Sequence, residues 1–311
     1  METLKAAVVG VGHMGRNHAR IYQELAGVEL VALVDQDEHT ARKMSIKYDC
    51  PAYFSLAVML KHESVDIASV VTPTVHHFEH ALRLLDAGVS VLIEKPIAST
   101  IAEADALVSR ASNPQVTVAV GHIERSNPAV QTVRGLVMTG AIGDIYRIST
   151  RRVGPSPVRI RDVGVTLDLA THDLDIMRFL CDSEPVSYQA ITQHKRHNGF
   201  DDAVNAIIEF ENDIIGVLEC DWLTPAKERK LTVVGSKGMI KADYFDRSVT
   251  LHQRPGESKR CCVSDGEPLY VELENFIWAV RRLVPPATTA RDGLAAVRMA
   301  NEILKVGNEH E

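Results

Sequence analysis

The chain has 311 residues, 45% of them hydrophobic and 24% charged, with a formal net charge of −7. That is the profile of a soluble globular protein of about two domains, and the acidic balance argues against nucleic acid or an anionic membrane as its main partner. No apolar run approaches the ~20 residues of a membrane span, no signal peptide is visible, and the five cysteines show no metal-ligand spacing, so thiols in a reducing cytoplasm are expected.

An apolar strand at 4–9 leads into Gly10-Val11-Gly12-His13-Met14-Gly15, followed by a helix from 16 to about 26, a second apolar run at 28–34, and Asp35. This is the layout of a dinucleotide-binding turn. Gly10 would make the tight turn, Gly12 would let the main chain approach a pyrophosphate, and Gly15 would allow close packing of helix on strand. Free amides at the helix N-terminus would face the diphosphate. Asp35 can accept hydrogen bonds from the adenosine ribose hydroxyls and would repel the extra phosphate of NADP. NAD is therefore the expected cofactor.

The alternation continues with helices over 37–48, 55–61, 77–87 and 101–111 and strands at 52–54, 66–71, 89–93 and 117–120. Such alternation predicts a doubly wound parallel sheet with right-handed crossovers. The strand at 66–71 ends in Thr72-Pro73-Thr74-Val75-His76-His77, where His77 is expected on the cofactor side and His76 exposed. The strand at 89–93 ends in Glu94-Lys95-Pro96. Ligands of open α/β sheets bind at the carboxyl ends of strands, a favoured address for a working lysine. A surface Glu–Lys pair ahead of a proline-stopped helix is an equal reading of these three residues alone.

After Gly121 the pattern changes. A helix at 128–139 precedes strands at 144–153, 186–194, 202–210, 214–223, 230–234, 239–243 and 248–253, and helices at 270–283 and 289–306 close the chain. Successive strands joined by short turns predict a mixed or antiparallel sheet, hence an α+β domain. The expected domains are 1–121 and 122–311, with the last helices able to pack back on the first. Between the first two of these strands, 162–181 reads as a helix with a broad apolar face. Asp168, His172 and Asp175 share the opposite face, spaced so that a carboxylate can orient an imidazole as general base. An incidental Asp–His pair on an exposed helix is the competing reading. Phe179 on the polar face and Asp173 toward the apolar side do not fit the pattern, and Asp173 would need a partner. Residues 145–161 carry Arg147, Arg151, Arg152, Arg159 and Arg161 and no acid. Such a segment suits a diphosphate, or else is a solvated basic edge or a subunit contact.

Together, Gly10–Gly15, Thr72-Pro73 with His77, Glu94-Lys95-Pro96 and Asp168-Leu169-Ala170-Thr171-His172 resemble the glucose–fructose oxidoreductase/inositol dehydrogenase (Gfo/Idh/MocA) family over essentially the whole chain. The resemblance implies an N-terminal Rossmann domain holding NAD and a C-terminal sheet that forms the substrate wall and the interface of a homodimer or homotetramer. It implies cofactor contacts from Gly10, Gly12, His13, Met14, Gly15, Asp35, Thr72, Pro73, Thr74, His77, Glu94 and Lys95, and a cis Lys95–Pro96 peptide. The catalytic residues it implies are Lys95, Asp168 and His172. Within the family, 121–128 and the run from Arg151 to Gly164 are similar to UDP-N-acetylglucosamine 3-dehydrogenases. That likeness implies a UDP-sugar substrate met by His122, Arg125, Arg152, Arg159, Arg161, Asp168 and His172. Its product would be a 3-keto sugar for an aminotransferase, in lipopolysaccharide or lipid A precursor synthesis. The corresponding uronic acid, a free polyol such as inositol, and a non-catalytic NAD-binding regulator are the other readings. Two departures touch the substrate pocket: Val163-Gly164-Val165-Thr166-Leu167 replaces a glycine-rich run, and Ser126 stands where an aromatic is common.

Overall fold

The structure, a computed structural model, describes residues 2–156, 163–196, 199–254 and 256–308. The chain divides into two compact units, Met1–Ile123 with Leu269–Leu294, and Glu124–Pro268 with Ala295–Glu311.

In the first unit the elements are β1 (Leu4–Val9), α1 (His13–Glu24), β2 (Val28–Val34), α2 (Glu38–Tyr48), β3 (Ala52–Tyr53), α3 (Leu56–His62), β4 (Ile67–Val70), α4 (His77–Asp86), β5 (Ser90–Glu94), α5 (Ile101–Arg110) and β6 (Val118–Gly121). The strands form one parallel sheet in the order β3-β2-β1-β4-β5-β6. This is the doubly wound order of a Rossmann fold, whose direction of winding reverses between β1 and β4. Both faces are covered, so β4, β5 and β6 are buried at every position, as strands of a parallel sheet must be. The helix starts are set locally. Asp37 accepts from the Thr40 amide at α2, and Thr100 with Glu103 forms a capping box at α5.

The second unit contains α6 (Pro128–Met138), β7 (Ile145–Val153), α7 (Thr171–Cys181), β8 (Pro185–Gln193), β9 (Ala203–Phe210), β10 (Ile215–Asp221), β11 (Glu228–Gly235), β12 (Gly238–Asp243), β13 (Ser248–Arg254) and β14 (Glu257–Cys261). Its sheet runs β14-β13-β12-β11-β7-β10-β9-β8, with β7 and β10 parallel and the other neighbours antiparallel. The expected mixed sheet is therefore present, with its first strand near the middle. β14 was not expected from sequence: Glu257-Ser258-Lys259-Arg260 is polar and exposed throughout, and an edge strand without apolar alternation leaves no period-two signal. Ile148, Val204, Ile208, Leu218, Leu231, Val233 and Ile240 line the inner face and pack with α6 and α7 side chains such as Val130, Val133, Leu174 and Met177.

Two helices complete the chain, α8 (Pro268–Arg282) and α9 (Ala290–Asn308). Leu269, Leu273, Phe276 and Ile277 of α8 belong to the first core, and Met299, Ala300 and Ile303 of α9 to the second. Among the described residues, no helix is long and apolar enough to cross a membrane.

Candidate active site

Each glycine of the first turn has its own reason to lack a side chain. Gly10 has φ +90°, and a Cβ there would lie 2.6 Å from the Val71 carbonyl oxygen. A Cβ on Gly15 would run into the Gly10 carbonyl, so contact between α1 and β1 excludes it. At Gly12 no protein atom lies within 4 Å of an added Cβ, so its bareness serves nothing inside the protein. That open space, together with an α1 N-terminus that has no side-chain cap and no acidic residue in its first turn, fits a pyrophosphate approaching the helix amides. Asp35, just beyond β2, accepts from the Val11 amide at 2.9 Å and the Asp37 amide at 3.0 Å. It braces the glycine turn, and a carboxylate oxygen can accept a further bond from a ribose hydroxyl.

The strand end Glu94-Lys95-Pro96 is held from below and from the side. The Lys95–Pro96 peptide is cis. His77, at the start of α4, is fully buried, with Nδ1 2.8 Å from the Pro96 carbonyl and Nε2 2.8 Å from the Thr72 carbonyl. The ring expected on the cofactor side is thus engaged by main chain, a strut between the ends of β4 and β5. His76 is half-buried, not exposed. Burial holds the His77 pKa down, against the pull of the two carbonyls and of Glu94. Glu94 is buried too; desolvation pushes its carboxyl up, but His18, Lys95 and His77 together bring it below its ordinary value.

In the second unit, Asp168 and His172 lie where a π-helical turn, Thr166–Ala170, runs into α7. Such turns frequently mark functional sites. Sequence reasoning missed the device that fixes this start: Asp201 accepts from the Thr166 amide at 2.8 Å and its hydroxyl at 2.6 Å. A Cβ on Gly164 would collide with the Asp201 carboxylate. The competing reading, an incidental Asp–His pair on an exposed helix, is not what the structure shows. Asp168, Asp173 and Asp175 are all buried, and His172 is half-buried.

The buried acids are matched by arginines. Arg125 meets Asp175 through two bonds, 2.8 and 2.6 Å, and Arg152 meets Asp173 through two more, 2.9 and 3.1 Å, with Glu124 at 2.9 Å. Arg152 is only 4% exposed, and Asp173 and Glu124 keep it charged against the pull of burial. Phe179, out of place in the sequence pattern, has the guanidinium groups of Arg125 and Arg134 over its ring at 4.9 and 4.8 Å. The arginine-rich segment is therefore not one cluster. Strand alternation sends Arg151 to the outer face, where it pairs with Glu219 and Glu228, and Arg152 to the inner face. Arg125 and Arg152, both expected at the substrate, are engaged instead in buried ion pairs. Arg159 and Arg161 lie outside the described residues, and His122 is buried.

The first unit thus holds a glycine turn fit for a dinucleotide and a lysine at the end of β5, and the second a histidine on a π-turn helix. The description "Oxidoreductase family, NAD-binding Rossmann fold" of the Gfo/Idh/MocA group matches residues 4–122, and that group's C-terminal domain matches 130–241. The chain belongs to the Gfo/Idh/MocA oxidoreductase family. As a member, it uses NAD as its cofactor, held in the first unit. It is 28% identical to the UDP-N-acetylglucosamine 3-dehydrogenase of Acidithiobacillus ferrooxidans, over 97% of this chain and 96% of that protein. A solved structure of that enzyme superposes with a TM-score of 0.91, covering 98% of each chain at 27% identity. The inositol 2-dehydrogenase of Rhizobium meliloti is 26% identical over 97% of this chain and 96% of its own length.

Proposed function

We propose that this oxidoreductase oxidises the C3 hydroxyl of UDP-N-acetylglucosamine to the 3-keto sugar. The observation that carries the reading is the end-to-end likeness to a UDP-N-acetylglucosamine 3-dehydrogenase in both sequence and fold, in a chain that has Lys95, Asp168 and His172. NAD, when bound, supplies the hydride acceptor. His172, oriented by Asp168, takes the hydroxyl proton as general base. Lys95 donates to the same oxygen and stabilises its charge while the C–O bond becomes a carbonyl, an electrostatic role. Gly10, Gly12 and Gly15 admit the pyrophosphate, and Asp35 faces the adenosine ribose. His13, Met14, Thr72, Pro73 and Thr74 complete the cofactor wall. With Arg125 and Arg152 engaged elsewhere, gripping the sugar diphosphate falls to Arg159 and Arg161, with His122 lining the sugar site.

A free polyol such as inositol is the second reading. It is favoured by the full-length likeness to an inositol dehydrogenase and by the commitment of Arg125 and Arg152 to buried acids. Incubation of the purified protein with NAD and either UDP-N-acetylglucosamine or myo-inositol, following NADH absorbance, separates the two. Turnover of inositol with none of the nucleotide sugar would end the first reading. A homodimer or homotetramer forms, on this account, through the outer face of the second sheet, where Ile191 on β8 is 61% and Ile207 on β9 48% exposed.

A further inference from the structure

The proposed chemistry leaves one buried titratable group beside the lysine turn unused. His18, in the second turn of α1, is 0% exposed. Its Nε2 lies 3.1 Å from Glu94 Oε1, and its Nδ1 2.9 Å from the hydroxyl of Ser69 on β4. That hydroxyl is in turn 2.8 Å from the hydroxyl of Tyr22, one turn further along α1. Ser69 and Tyr22 are also fully buried.

Proton accounting gives this row a direction. An ionised Glu94 can only accept, so the His18 proton facing it sits on Nε2. In the neutral ring Nδ1 accepts from the Ser69 hydroxyl, and the Ser69 oxygen accepts from the Tyr22 phenol, which burial keeps protonated. Every proton in the row points toward Glu94. The carboxylate is held on its other sides as well. Oε2 accepts the Lys95 main-chain amide at 3.2 Å. Across from it stands Gly121, at the end of β6, where an added Cβ would come within 3.1 Å of both Cδ and Oε2. Helix, strand end and neighbouring strand thus converge on one acid directly before the lysine.

We propose that His18 is a positioning residue for Lys95: by donating Nε2–H to Glu94, it locks the carboxylate against the Lys95 amide and fixes the turn that presents the lysine. The inference rests on the role proposed above for Lys95. Without a donor at the Nε2 position, a buried carboxylate either takes up a proton or turns toward another cation. Both outcomes change the charge beside Lys95 and the hold on its main-chain amide. A merely space-filling histidine would be served equally by a polar group at either ring position.

The test compares two amides. His18→Gln places its NH2 near Nε2, whereas His18→Asn places it near Nδ1 and leaves Glu94 without its donor. On whichever secondary alcohol the enzyme oxidises, His18→Gln is expected within ~3-fold of wild type in kcat. His18→Asn should lose roughly 30-fold in kcat, with the NAD dissociation constant, read by fluorescence titration, within ~3-fold. Equal losses in the two variants, or losses that follow Tm and NAD affinity, overturn the proposal. Nitrogen NMR of histidine-labelled wild-type protein gives an answer that needs no turnover: His18 should carry a proton on Nε2, and a bare Nε2 overturns it even if the Asn variant fails to fold. Lys95→Ala, assayed alongside, separates the two levels. An active Lys95→Ala protein removes the role of the lysine itself; an inactive one beside indistinguishable Gln and Asn variants removes only that of His18.

Discussion

At the scale of single residues, Lys95 carries most of the functional account. Because the role proposed for it is to stabilise charge on the reacting oxygen, Lys95→Ala should lower kcat by about 10²–10³-fold or more while NAD still binds. A calorimetric or fluorescence titration of NAD beside the steady-state assay checks both halves, and turnover near the wild-type rate would contradict the assignment. His77 makes a prediction about stability. Burial lowers its pKa from the ordinary 6.5, so as pH falls the unfolded chain takes up its proton before the folded one does. The stability contributed at neutral pH is lost on acidification. Glu94, lowered from its ordinary 4.5, acts in the same direction further down. Tm should therefore fall between about pH 7 and pH 5, and the fall should be shallower in His77→Gln. Parallel curves for the two proteins would contradict this.

At the scale of elements, α7 is organised by ion pairs that its sequence only half reveals. The bidentate Arg125–Asp175 pair is buried, and removing one member leaves the other charge without its partner. Asp175→Asn should cost about 3 kcal/mol in urea unfolding, and Arg125→Met combined with Asp175→Leu should recover most of that loss. An Asp175→Asn protein as stable as wild type would show that the pair does not anchor the helix. This element also shows where reading the sequence stops. Asp173 stood out as an acid needing a partner, because helical periodicity turned it inward. That partner, Arg152, is fixed by β7 lying in the middle of a sheet, a long-range fact that no local period encodes. Asp175 was placed on the face shared with Asp168 and His172, with no sign that it was paired, since a buried carboxylate and an exposed one look alike until the arginine is placed. The glycine turn, by contrast, was legible in full. Its geometry is local: Gly10 and Gly15 are demanded by atoms only a few residues or one strand away, and Gly12 is left open by the protein itself.

At the scale of the whole molecule, two cores organise the chain, one around a parallel sheet in dinucleotide-binding order and one around a mixed sheet with helices on its inner face. The switch in connectivity after Gly121 marked this in the sequence, because alternating helices and strands force parallel pairing while short turns permit antiparallel pairing. The outer face of the second sheet carries the proposed subunit contact. Ile191→Lys with Ile207→Lys should shift the mass measured by light scattering toward the monomer, and an unchanged mass would place the interface elsewhere. Central to everything is the reaction itself, and it can be followed through a single hydrogen. UDP-N-acetylglucosamine carrying deuterium at C3 should, with NAD and the purified protein, yield NADH that has gained the label by mass spectrometry, together with a 3-keto sugar that has lost it. If the label stays on the sugar, or no NADH forms while inositol is oxidised, the proposed substrate and the carbon it presents are wrong.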